Sequence, residues 1–193
     1  RSVTCGVAQN LLAFAPARRW HPIDRALCRL AHHNYDHSFL EALTTGRLRI
    51  QMPGLISASA TIDGAQGSMD FVGVNYYTRA HLRFQRRSPF LSFEYSDRQH
   101  RGLTDIGWEY YPEGLGLMLR QMKQYGRPIW ITENGLDDRL GARRSQFLFD
   151  HWREVLHAIS AGANVTTYLH WSLFDNFEWL EGFGPRFGLY HVD

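Results

Sequence analysis

Several things are scarce or missing in this chain of 193 residues, and each removes a class of answer. There are only two cysteines, Cys5 and Cys28, which fall in a predicted strand and helix with no C-x-x-C spacing, so neither a disulfide framework nor a thiolate metal site is expected. Two free, buried thiols are the expectation. No apolar run reaches about 18 residues, so no membrane span is read, and the first residues lack a signal-peptide pattern, which points to a cytoplasmic protein. The net charge is +2 with both signs interspersed, which gives no electrostatic case for nucleic acid as a partner. The densest basic stretch, residues 83–87 with Arg79 nearby, is expected on a solvated loop. Gly-rich phosphate loops and a Gly-x-Ser-x-Gly elbow are absent. His32, His33 and His37 lie close together, but no third ligand has matching spacing, so a polar helix face is expected and no metal or cofactor.

What is present reads as an ordinary globular α/β chain. Hydrophobic residues make up 44% and charged residues 21%, while aromatics reach 14%, which suits either a packed core or a sugar site. An apolar strand is expected over residues 3–8. Ile23, Leu27, Leu30, Tyr35, Phe39 and Leu43 recur at helical spacing, with Gly46 as the stop. Residues 47–68 read as a loop and 71–76 as a second strand, followed by an irregular stretch to about Trp108. Pro112 opens a helix whose apolar face is Leu115, Met118, Leu119 and Met122. A third strand covers 128–131. Ser145 can cap a helix with Leu148, Trp152, Val155, Leu156 and Ile159 on its buried face, stopping at Gly162. Residues 166–171 form the fourth strand. Strands alternating with helices predict a single domain built on a parallel sheet with right-handed crossovers.

The most informative stretch is Trp130-Ile131-Thr132-Glu133-Asn134-Gly135. Glu133 stands where an apolar strand ends and a turn begins, at the lip of the sheet, where active sites of parallel α/β folds collect. Three further segments accompany it: Asp70-Phe71-Val72-Gly73-Val74-Asn75-Tyr76-Tyr77-Thr78, Trp171-Ser172-Leu173-Phe174-Asp175-Asn176-Phe177-Glu178-Trp179, and Arg186-Phe187-Gly188-Leu189-Tyr190-His191-Val192-Asp193. In this order and spacing they resemble the C-terminal half of family 1 glycoside hydrolases, the β-glucosidase family. Cys5 to Asn10 and His21-Pro22-Ile23-Asp24 look like that family's fifth strand and the helix after it. The resemblance implies a (β/α) TIM-barrel-type fold, here a half-barrel of about four parallel strands matching strands five to eight of eight over residues 1–193. Such a chain is expected to be either a natural half-barrel or one piece of a longer enzyme.

The resemblance also implies roles. Retaining glycoside hydrolysis needs two carboxyl groups about 5–5.5 Å apart, one a nucleophile and one an acid/base. Glu133 looks like the nucleophile, against the blander reading of a turn-capping carboxylate. Asn75 and Tyr77, two apart on a strand, point the same way; the Tyr77 hydroxyl would hydrogen-bond Glu133 and hold it ionised for attack. Trp171, Glu178 and Trp179 resemble the sugar-binding site: Glu178 accepts from hydroxyls, Trp179 donates through its indole, Trp171 is the stacking floor. Phe187 matches an aromatic lining the same pocket, whereas Asp175 and Glu181 are expected to be solvated loop carboxylates. Keeping Glu178 argues for unphosphorylated β-glycosides as substrates. The family's Asn-Glu-Pro tripeptide, which carries the acid/base, does not occur in the sequence. The expectation is therefore a retaining β-glucosidase-like hydrolase, weak when alone. Two alternatives stand beside it: a non-catalytic sugar-binding half-barrel, and one piece of a split β-glucosidase needing a complementary N-terminal half. Four strands leave two open edges, so a homodimer or higher even oligomer is also expected.

Overall fold

The computed structural model describes residues 3–52, 56–87 and 91–192. In chain order the elements are β1 (Gly6–Pro16), α1 (Pro22–Ala31), a π-helical turn (His32–His37), α2 (Ser38–Thr45), β2 (Arg47–Met52), β3 (Ile56–Thr61), β4 (Phe71–Phe84) and β5 (Leu91–Glu94). Then follow α3 (Pro112–Met122), β6 (Ile129–Glu133), α4 (Arg144–Ser160) and β7 (Val165–Tyr168). The main sheet runs β1-β4-β6-β7 with every neighbouring pair parallel, and β5 pairs antiparallel with the end of β4.

Alternation along the strands separates a core face from a site face. Leu11 on β1, Val72, Val74 and Tyr76 on β4, and Ile129 and Ile131 on β6 are all fully buried toward the helix layer. There they meet Leu115, Met118, Leu119 and Met122 of α3, each at 0% exposure, which is the apolar face expected from their spacing. Pro112 opens that helix, where its missing N–H costs nothing. The opposite face of β4 presents Asn75 and Tyr77 near the C-terminal edge of the sheet, and beyond them the register against β1 slips between Leu11–Tyr76 and Ala13–Arg79, which turns Arg79 and His81 to the face of Tyr76.

Several expectations are corrected. Residues 47–68 are not a loop throughout: β2 and β3 pair as an antiparallel hairpin. The signal was masked because the hairpin is largely exposed and β3 is made of small residues such as Ser57, Ala58 and Ser59; residues 53–55 lie outside the described residues. β4 runs eight residues past Tyr76 because β1 and β5 both pair with its far end. Arg79 is therefore not on a solvated loop but lies in a strand, ion-paired to Glu109 at 2.6 Å. Within the irregular stretch, residues 88–90 lie outside the described residues. The first strand begins at Gly6, which leaves Cys5 exposed; Cys28 is buried, and both are free.

The α4 face is rotated from its expected position. Its buried residues are Phe147, His151, Glu154, Val155 and Ala158, whereas Trp152, Leu156 and Ile159 are 49%, 62% and 43% exposed. The reason is the packing of α4 on α3, where Glu154 approaches Gly116, and the stacking of His151 on Phe147 at 3.8 Å. The more apolar stripe is left facing outward. Asp175, expected to be solvated, has a side chain only 5% exposed and accepts from Arg186 and the Gly188 backbone.

Candidate active site

Glu133 is the last residue of β6, and its register partner on β4 is Asn75. The Tyr77 hydroxyl donates to Glu133 Oε2 at 2.6 Å across the strand pair. Burial, followed by the bond to Glu133, pushes the Tyr77 phenol upward, so it remains a protonated donor. Asn75 Oδ1 accepts from Thr132 Oγ1 at 2.5 Å, which fixes the amide beside the strand end. Asn134, read from sequence only as a turn residue, does more: fully buried, it donates to the Tyr76 carbonyl at 2.8 Å and accepts from the Tyr168 hydroxyl at 2.9 Å. It ties β4, β6 and β7 together directly behind Glu133.

The aromatic wall is built from distant parts of the chain. Phe187, 3% exposed, meets the Tyr77 ring edge-on at 6.0 Å. Trp108 lies 5.5 Å from Tyr77 and 6.2 Å from Phe187, completing a three-ring cluster. Sequence reasoning missed Trp108 as a site residue, since it sits in irregular chain with no periodicity; the Trp-Glu-Tyr-Tyr-Pro run just before a helix was the available signal. Phe187 is held by Arg144, whose guanidinium donates to the carbonyls of Leu136, Asp138, Arg186 and Phe187.

The second group forms on the segment after β7. Trp171 Nε1 donates to Glu178 Oε1 at 3.1 Å, and the Trp171 backbone N–H donates to the Asn134 carbonyl at 3.0 Å, so this segment is pinned next to the Glu133 turn. The charge on Glu178 acts on Tyr77 as well. Trp179 stands apart from the pair: it is 83% exposed with a backbone φ of 50° and does not pack into the group. The structure thus brings together Asn75, Tyr77, Glu133 and Phe187, and joins Trp171 to Glu178, but leaves Trp179 projecting into solvent. Among the described residues no cluster of three His, Cys, Asp or Glu side chains is placed to hold a metal ion; His32 instead pairs with Asp36 at 2.6 Å.

Fold and site together define an α/β protein with a phenol-supported carboxylate and an aromatic wall at the C-terminal edge of a parallel sheet. Comparison with known proteins narrows this. The model of glycosyl hydrolase family 1 matches residues 35–193, and the chain belongs to that family. A β-galactosidase of Sulfolobus acidocaldarius is 34% identical over 97% of this chain. A β-glycosidase structure from Pyrococcus horikoshii superposes on 97% of it with a TM-score of 0.86 at 35% identity. A β-glucosidase from Thermotoga maritima in complex with glucoimidazole covers 97% with a TM-score of 0.79 at 30% identity. The chain spans only part of each: 38% of the first, 43% of the second and 46% of the third.

Proposed function

We propose that this chain carries the nucleophile half of a retaining β-glycosidase site for unphosphorylated β-glycosides, on the part of a TIM barrel corresponding to strands five to eight. The observation that carries this reading is the 2.6 Å bond from Tyr77 to Glu133 at the strand ends. In the reaction Glu133 attacks the anomeric carbon, the bond to the aglycone oxygen breaks, and a glycosyl ester forms on the carboxylate that water later hydrolyses. Tyr77 bonds the oxygen that does not attack, and Asn75, Trp171, Glu178 and Phe187 hold the sugar; Trp179 joins them if its segment swings inward on binding.

The proton for the leaving group has to come from a second carboxyl. A complementary polypeptide half, or a second copy of this chain, would supply it, and without one the hydrolase is slower by about 10²–10⁴-fold on poor leaving groups. The test is incubation with 2,4-dinitrophenyl 2-deoxy-2-fluoro-β-glucoside followed by peptide mass spectrometry. A covalent fluoroglucosyl adduct on Glu133, absent in Glu133→Gln, is the expected result. Sugar affinity without any adduct would leave only a binding module.

A further inference from the structure

The slip in register sets Tyr77 and Thr78 of β4 together opposite Leu12 of β1, a bulge of the kind that re-aims a side chain. The other flank of this stretch is open. β6 ends its pairing at Asn75 and β5 joins only at His81, so among the described residues no strand flanks 76–80 on that side. The segment before α3 fills the gap. The Tyr76 hydroxyl donates to the Tyr111 carbonyl at 2.7 Å, and the Thr78 hydroxyl donates to the Glu109 carbonyl at 3.0 Å. Trp108 and Glu109 then serve opposite faces of β4. The Trp108 ring packs on Tyr77 and Phe187 at 5.5 and 6.2 Å. The Glu109 carboxylate, 1% exposed, accepts from Arg79 at 2.8 and 2.6 Å and from His81 Nε2 at 3.0 Å. The Trp108 backbone bonds Thr104 within its own turn. What fixes that turn to β4 is Glu109, with Tyr111 behind it.

We infer that Glu109 is a positioning residue: by anchoring its turn to Thr78 and Arg79 it seats Trp108 against Tyr77 and keeps the phenol aimed at Glu133. The inference rests on the glycosidase reading for its effect on rate, and on the Tyr77–Glu133 bond alone for its geometry. Glu109 acts through Trp108 rather than on Glu133 itself. A bidentate carboxylate–guanidinium pair fixes the orientation of both partners. The turn therefore cannot slide along β4 without breaking the two charge-assisted bonds from Arg79.

The test labels tyrosine Cζ with carbon-13 in the whole chain and follows Tyr77 by NMR, its resonance being the one missing from Tyr77→Phe. Glu133→Ala gives the position of that resonance without the carboxylate acceptor. Glu109→Gln, which loses the bidentate pair, and Thr78→Val, which loses the hydroxyl, are each expected to move it toward that position. The rate of 2-fluoroglucoside labelling should fall about tenfold in Glu109→Gln. It should fall no further when Glu109→Gln is added to Tyr77→Phe, since both changes act on one bond. A purely structural role would lower the thermal midpoint and leave the resonance in place. Should Glu109→Gln fail to fold, Thr78→Val carries the same test, because it keeps the buried ion pair. A Tyr77 resonance unmoved in the variants, or losses of rate that add, would overturn the positioning role and leave the glycosidase reading intact. Shifts as expected with no adduct on Glu133 of the native chain would keep the positioning role and remove the glycosidase reading. A native resonance already at the Glu133→Ala position would overturn both.

Discussion

The Tyr77 hydroxyl and Glu133 Oε2 are 2.6 Å apart, and they belong to neighbouring parallel strands held in register by Asn75 opposite Glu133. Because the phenol is buried against Phe187 and Trp108, its donor direction is fixed by packing and does not depend on the loop that follows Glu133. A hydrogen bond to a charged group is worth about 1.5–3 kcal/mol. Tyr77→Phe should therefore slow covalent labelling of Glu133 by roughly 10- to 100-fold with little change in thermal midpoint. The second-order inactivation rate with the 2-fluoroglucoside measures it; an unchanged rate would take Tyr77 out of the chemistry.

Gly135 links the carboxylate to the sugar floor. A Cβ at this position would overlap the Trp171 carbonyl oxygen, which is backbone and cannot swing away, and would touch Phe187. Gly135→Ala must therefore push the Trp171 segment off the Asn134 carbonyl it now bonds. The expected outcome is a loss of about 1–3 kcal/mol in stability, typical of overpacking, together with loss of glucoside binding. Urea unfolding and calorimetry on the variant check both halves. Full sugar affinity in Gly135→Ala would show that Trp171 is not positioned by this contact.

Much of this was legible from local pattern. Leu115, Met118, Leu119 and Met122 recur at helical spacing and are all fully buried. Asn75 and Tyr77 share a strand face, and Glu133 ends a strand. Contacts set by other elements were not legible. The buried stripe of α4 was chosen by α3, through Gly116 and Glu154, against the hydropathy of Trp152, Leu156 and Ile159. The far end of β4 looked like a basic loop because the carboxylate that compensates Arg79 and His81 lies 30 and 28 residues away, at Glu109. Trp108 belongs to the site through contacts with Tyr77 and Phe187 that no spacing in the chain announces. Glu178 and Trp179 are adjacent in sequence, yet one bonds Trp171 while the other, at a positive φ, is turned outward.

Two histidines, the fully buried His151 and the half-buried His170, set the acid limit of the fold. Burial pushes His151 and His170 down to about 4 each, below the ordinary value of about 6.5. His151 Nδ1 bonds the Phe147 carbonyl at 2.9 Å, and its Nε2 is buried without a partner, so this ring is held neutral; Asp150 and Glu113 only partly oppose the effect. The unfolded chain takes up protons below about 6.5 that the folded chain refuses until about 4. Stability is therefore greatest above about pH 6.5 and declines as the pH falls through that window, by on the order of 3 kcal/mol for fully buried His151. Glu109, where burial is outweighed by its bonds to Arg79 and His81, is held at about 2 and adds a separate loss only below about pH 4.5. Urea midpoints from pH 7.5 to 4.5 should fall for the native chain and fall less for His151→Phe. Parallel curves for the two would exclude His151 as a source.

The open side of the sheet leads to the last prediction. On α4, Phe149, Trp152, Leu156 and Ile159 are 62%, 49%, 62% and 43% exposed, and beside β7 Leu169 and Leu173 are 50% and 54% exposed. Among the described residues β1 and β7 are the two edges of the parallel sheet, each paired on one side only. Apolar surface of this kind next to an unpaired strand edge favours association. Joining the β7 edge of one copy to the β1 edge of another, and repeating it by a two-fold axis, closes a ring without leaving an open edge. Light scattering at micromolar concentration should therefore give an even assembly of this chain. Leu156→Lys combined with Phe149→Lys should shift it toward smaller species, since each charge would have to be buried at the joint at a cost of several kcal/mol. A monodisperse monomer, or an assembly indifferent to both lysines, would show that these faces do not join copies of this chain.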